Sequence, residues 1–336
     1  MPFTLVENHK FGLVAAEMVY TDFSVPELQL SDGTWLLTNV PFEIGNTWQK
    51  WLGTVRSDRL KEANLILVRT VPSGTPNILD GEHNELGKYV TELFFLLQFG
   101  GVVECGEADS LKGSFYGDEI EIRQHSVLPQ FFPCKGYIRQ PVTMDRLEET
   151  VELKKAYSGV YSNRAEFARL GRGLNILTAC LKERAGQEKL HQAVRAIEAI
   201  ILPDIGSTKR QFIHRCQTFT KANANAVKIL GEIFEMRSDS EHVHDWQKSL
   251  QSYPQAQRDD IAWHRTRQIE ALARVAYTRI LLSDEIRGHF KDETTLEHFW
   301  KGLDDATRRK IWGSPFDLDS KTLVEDYDGF GRAAKG

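Results

Sequence analysis

The sequence predicts an α+β protein: a mixed α/β region over residues 1–144, an all-helical bundle over 145–315 and a tail over 316–336. Three observations predict it. Before Pro141, short β-branched or aromatic runs alternate with Gly, Pro, Asn and Asp. After it, prolines nearly vanish, with only Pro203 and Pro254 between Asp145 and Trp312. Long segments of that second part carry apolar residues three and four apart, the period of a helix with one buried face.

In the first part, "TWLLTNV", "NLILVRTV", "GVVECGEA" and "YIRQPVT" read as strands, and "LSDGTW" holds an Asp-Gly turn signal. One helix is embedded among them. "NELGKYVTELFFLLQFG" places Leu86, Val90, Leu93, Phe94 and Leu97 on one stripe, and Gly100 stops it. The region holds neither a P-loop nor a dinucleotide fingerprint, so no cofactor is expected.

The second part reads as an antiparallel bundle. "NRAEFARLGRGLNILTACLKE" opens with Asn163 and Glu166 in a capping-box pattern, and its two glycines mark close helix packing rather than a phosphate loop. "EKLHQAVRAIEAIILPD" presents Leu190, Val194, Ile197 and Ile201 on one stripe. "STKRQFIHRCQTFTKANANAVKILGEIFEMRS" is one long helix or a broken one, and "DDIAWHRTRQIEALARVAYTRILLS" is another. "TLEHFWKGL" and "DATRRKIWG" are short helices, and the Asp- and Gly-rich tail after Gly313 is expected to be loosely ordered.

The 336 residues are 41% apolar and 26% charged, an ordinary globular balance. The most apolar run, Leu93 to Val103, is too short to span a bilayer, so no membrane partner is expected. The opening "MPFTLVENHKFG" meets Glu7 and Lys10 before any long apolar stretch, so no secretory signal and a cytoplasmic location are expected. Cys105, Cys134, Cys180 and Cys216 form no CxxC pair and read as reduced core residues. The net charge of −5 does not suit a general nucleic-acid binder. It is uneven, however. Residues 1–140 hold 11 Lys and Arg against 18 Asp and Glu, whereas residues 141–336 hold 31 against 29. Any phosphate site therefore belongs to the second part.

Within that part, "EIFEMRSDSEHVHDW" carries the chemistry. Ala226, Ile229, Leu230, Ile233 and Phe234 form an apolar stripe, and Arg237 continues it. A guanidinium at a core edge needs acceptors. Asp239 or Glu241 would be one solution and a phosphate the other, because the planar fork binds phosphate oxygens in pairs. In a continued helix His244 lies about 20° from Arg237 and His242 about 140° away; a break at "SDSE" would bring His242 back. His242 and His244 with Glu241 and Asp245 could also hold a metal, although exposed histidines in a capped turn are commoner. "WHRTRQ" sets Trp263 among Arg265 and Arg267, either an RNA-stacking clamp or a basic helix face. Arg215 lies within a helix, where neutralising a buried carboxylate competes with RNA contact.

"IFEMRSDSEH" resembles the motif helix of the HEPN superfamily, the higher-eukaryote and prokaryote nucleotide-binding domains, whose signature is R-x(4 to 6)-H. The Arg237–Ser238 pair is most similar to the Apea-like branch. "AIEAIILPDIGSTKRQFIHRCQTF" is similar to that branch's "LEALLL…F-x-x-R" region, with Arg215 in the place of its arginine. The resemblance covers residues 145–315 and makes the bundle HEPN-like. It implies a metal-independent ribonuclease, a toxin or antiviral-defence effector, with Arg237 and His242 (alternatively His244) catalytic. Ser238, Arg215, Arg265 and Arg267 would contact RNA. It also implies a homodimer in which two motifs share a cleft, and a first domain that senses a phage or cellular trigger. The alternative is a non-catalytic dimerisation, nucleotide- or RNA-binding module. The chain departs from the branch beside the histidine, where Glu241 precedes and Asp245 follows.

Overall fold

The computed structural model describes residues 3–320, apart from residues 5, 41, 45, 117, 118, 139 and 243. The protein is α+β, with a six-stranded antiparallel sheet in the first part and helices in the second. Two compact units divide the chain: residues 1–131 with 139–155, and residues 132–138 with 156–336. The division falls inside the helix Met144–Ser162.

In the first unit the strands are β1 (His9–Glu17), β2 (Glu27–Gln29), β3 (Trp35–Leu37), β4 (Ala63–Pro72), β5 (Ala108–Tyr116) and β6 (Glu119–Val127). They pair in the order β2-β3-β4-β1-β5-β6. Helices α1 (Asn46–Leu52) and α2 (Thr54–Glu62) precede β4, and α3 (Gly81–Leu97) follows it. Phe11, Leu13, Ile66, Val68, Leu111 and Ile122 turn to one face, where Leu52 of α1 and Leu60 of α2 complete a core. On the other face α3 lies so close to β1 that a Cβ on Gly12 would stand 2.4 Å from the Leu86 carbonyl carbon. Central β1 is thus buried on both faces from Phe11 to Ala16 and lacks the alternation that marks a half-exposed strand.

Burial and polarity explain two differences from the sequence reading. β1 carries no period-2 signal, and β5 and β6 are polar enough to pass for loops. Conversely, the described residues of 101–107 and 137–141 form no strand, although Val142 forms an isolated bridge with Thr21. The expected strands at β3 and β4 and the embedded helix α3 are present.

The second unit is helical: the end of α4 (Met144–Ser162), then α5 (Ala168–Lys182), α6 (Gly186–Ile201), α7 (Thr208–Cys216), α8 (Ala224–Glu241), α9 (Arg258–Leu282), α10 (Asp284–His289), α11 (Glu293–Glu297) with a π-turn over His298–Gly302, and α12 (Asp305–Trp312). α6 is its centre. It packs against α5, α7, α8 and α9, and Leu190, Val194, Ile197 and Ile201 are shielded from solvent. Gly173 of "LGRGLN" is a packing glycine: a Cβ there would collide with the Tyr277 hydroxyl, which donates to the Ala196 carbonyl at 2.8 Å.

Two helical expectations change, and of the two forms open to the segment from 207 the broken one is present. Asn163 closes α4, its amide bonding the Gly159 carbonyl, and α5 starts only at Ala168, so the capping box does not form. The long segment from 207 breaks into α7 and α8, because Phe219 turns inward against Trp300 and Trp312 and Asn223 caps a new start. The tail is packed at its beginning: Phe316 bridges Thr220, and the Gln268 side chain donates to the Leu318 carbonyl at 2.6 Å. Residues 321–336 of the expected tail lie outside the described residues. Among the described residues no helix is long and apolar enough to cross a membrane.

Candidate functional site

Arg237 stands in the last turn of α8, where its stripe meets α6. Its side chain is 16% exposed. One Nη bonds Glu241 on the same helix, and the other reaches Glu198 Oε2 of α6 at 3.2 Å. Its guanidinium carbon lies 5.7 Å from the centre of the Phe234 ring, one turn earlier. The fork is therefore fixed by an i, i+4 carboxylate and by a second from the neighbouring helix. Even so, Nε is buried without a hydrogen-bond partner, and so is Glu198 Oε1.

The α6 side adds two ionisable groups. Glu198 is as shielded as Arg237, and burial pushes its carboxyl above the ordinary carboxylate range. The Arg237 charge opposes that rise, and Glu241 adds to it. One level along, His191 Nε2 lies 3.7 Å from Glu241 Oε1. Early α6 thus meets late α8, and the two helices run antiparallel through a cluster of His191, Glu198, Arg237 and Glu241. Three residues of that cluster can exchange protons, and the fourth is a fixed cation.

The histidines of the motif stand elsewhere. α8 stays helical through Glu241, so "SDSE" does not break it. His242 follows as its C-terminal cap, its amide bonding the Ser238 carbonyl at 3.2 Å, and does not begin a further helix. At about 100° per residue, it sits about 140° round the helix from Arg237. His244 lies in the turn beyond, its amide bonding the Asp239 carbonyl. Both rings are exposed, 6.4 Å apart, and no hydrogen bond or ion pair joins either to Arg237. Ser238 is half-buried beside Arg237.

The other arginines expected at an RNA surface are internal. Arg265 on α9 gives Nε to Glu232 at 2.7 Å, Nη1 to Gln268 at 2.9 Å and Nη2 to the Tyr253 hydroxyl at 3.3 Å. Arg267 is buried, with one Nη 3.4 Å from His264 Nδ1. Arg215 closes the end of α6, donating to the Ile201 carbonyl at 2.6 Å and to the Leu202 carbonyl. It answers orphan helix carbonyls, as a cation at a helix C-terminus does, and its other Nη stands 4.0 Å from Asp204, an exposed carboxylate where a buried one was the expectation. "WHRTRQ" is neither a clamp nor a solvated basic face, because 264–268 are all buried.

Among the described residues no group of three or more His, Cys, Asp and Glu is placed to hold a metal ion. Glu198 and His191 escaped the sequence reading, although a signal existed. His191, Arg195 and Glu198 recur at i, i+4 and i+7 along one flank of the apolar stripe of α6. Set beside protein-family models, curated proteins and solved structures, the chain matches none.

Proposed function

We propose that the helical unit cleaves RNA without a metal ion: a 2′-OH attacks the adjacent phosphate, and Arg237 stabilises the charge that builds up on phosphorus. The observation that carries this reading is the setting of Arg237, a largely shielded guanidinium held between Glu198 and Glu241, with His191 beside Glu241. Such a cation acts most strongly in a place shielded from water. The reaction also requires groups that take and give protons, and the cluster holds them. The products carry a 2′,3′-cyclic phosphate and a 5′-OH.

The HEPN resemblance of the Arg237–His242 segment supports the same chemistry. In its two-fold arrangement, His242 or His244 of one copy serves Arg237 of the other, and exposed rings are compatible with that. A toxin or defence role, with trigger sensing by the first unit, belongs to the proposal through the resemblance alone.

Purified protein is expected to cleave single-stranded RNA in EDTA and to sediment as a dimer. Arg237→Ala is expected to lose about 10²- to 10³-fold in rate, and Arg237→Lys to recover little, since a point charge does not reproduce the fork. A parent that is silent on RNA under every trigger tried overturns the enzyme. One observation favours the second reading, a non-catalytic binding module: both arms of Arg237 already hold carboxylates. RNA binding without cleavage, lost in Arg237→Ala, would establish that reading.

A further inference from the structure

We propose that Glu198 is the general base and His191 the general acid of the cleavage, so that a single chain holds a complete site on the facing sides of α6 and α8. The inference rests on the ribonuclease reading above and deepens it. Arg237 and Glu198 are already in contact at 3.2 Å, and Glu241 links Arg237 to His191. A phosphate that displaces Glu241 from Arg237 sits between the two helices, with Glu198 on one side and His191 on the other. Glu198 has the free acceptor the reaction needs, because Oε2 is held by Arg237 and Oε1 bonds nothing. Glu241, once released, remains beside His191 and orients its ring.

The step balances. Glu198 takes the proton of the 2′-OH as the O2′–P bond forms. The P–O5′ bond breaks, and the His191 imidazolium gives its proton to the departing O5′. Nothing is oxidised or reduced, and both groups regain their starting states by exchange with water.

Several charged groups set the titration of Glu198: Arg237 and Glu241 on α8, Arg169 on α5 and Arg195 on α6 itself, while the Cys216 thiol of α7 faces it in its neutral form. Burial outweighs the cations and lifts the carboxyl toward the pH range in which a base works well. The rate is therefore expected to climb with pH as Glu198 ionises.

The test measures RNA cleavage by the full chain in EDTA between about pH 4.5 and 8. It compares the parent with Glu198→Gln, Glu198→Asp, His191→Asn and His242→Ala, and repeats the series on uridine 3′-(4-nitrophenyl phosphate). The nitrophenolate of that substrate departs without an acid. Glu198→Gln is expected to lose about 10²- to 10⁴-fold on both substrates and to lose the acidic limb of the pH profile. His191→Asn is expected to lose comparably on RNA yet recover on the nitrophenyl ester, which a merely structural histidine would not do. If Glu198→Gln fails to fold, Glu198→Asp carries the same readout through a displaced acidic limb. Full-rate cleavage by Glu198→Gln, an unmoved limb in Glu198→Asp, or an absence of ester rescue in His191→Asn overturns the assignment. If His242→Ala is then the inactive variant, the ribonuclease stands with its motif histidine. A parent inactive on both substrates removes the ribonuclease and this assignment together.

Discussion

Arg265 and Arg237 both turn a guanidinium toward the packed side of a helix, and they are answered in opposite ways. Arg265 meets one carboxylate and two neutral side chains at distances of 2.7 to 3.3 Å. Its side chain is 5% exposed, and Glu232 is bonded in turn by the Tyr253 hydroxyl at 2.9 Å. Charge and hydrogen bonds close on themselves there. Arg237 meets two carboxylates and no neutral partner, at the edge of the bundle, with Nε and Glu198 Oε1 left over. A fully bonded buried network fixes a fold, whereas a shielded but incompletely bonded one is poised to exchange a partner. The difference teaches that burial of an arginine says little by itself. The bonds that remain unmade separate a brace from a site.

The largest expected effect is on stability at the brace. Arg265→Ala leaves the buried Glu232 with only Lys228, 3.8 Å away, as a cation and is expected to destabilise the helical unit by about 3–5 kcal/mol in urea denaturation. Arg237→Ala is expected to lose only about 1–2 kcal/mol, because Glu198 and Glu241 stand nearer solvent and Glu198 accepts a proton readily. Equal losses at the two positions would erase the contrast.

Acid sharpens it next. Burial, and then the charges of Arg265 and Arg267, push His264 down to about 3. The folded state keeps this ring neutral while the unfolded chain protonates it below about 6.5. The stability it supports is thus complete above about pH 6.5 and is lost as pH falls toward 3, at up to about 1.4 kcal/mol per pH unit. His264→Gln is expected to flatten that slope when melting is followed between about pH 7 and 4.

The smallest effect runs the other way. The folded carboxyl of Glu198 is raised, so the folded state holds its proton more tightly than the unfolded chain does. Its contribution to stability is greatest below the ordinary carboxylate range and is lost as pH rises through the raised value. Glu198→Gln is accordingly expected to gain stability over the parent on going from acid to neutral pH. A gain in acid instead would mean that Arg237 dominates the environment of Glu198.

Much of the helical unit was legible, because α6 carries a long periodic stripe that local spacing reveals and α9 is a long run without proline. β1 was not, since its apolar run is covered on both faces and Gly12 is chosen by the approach of α3, a contact distant in sequence. Arg237 could be located from its place on the stripe of α8. Its partner Glu198 lies 39 residues earlier, and only the packing of α6 on α8 brings them together. Arg265 and Arg267 misled for the same reason in reverse. A run of charge looks like a surface until Glu232 and Tyr253 arrive from elsewhere to bond Arg265.

The most direct measurement is the rate of RNA cleavage per folded molecule for the parent and for Arg237→Ala, in EDTA, with the product ends identified. The expected result is cyclic phosphate ends from the parent and a rate about 10²- to 10³-fold lower from a variant whose helical circular dichroism is unchanged. Cleavage by Arg237→Ala at the parental rate would contradict the account, and Arg237 would then be a second brace alongside Arg265.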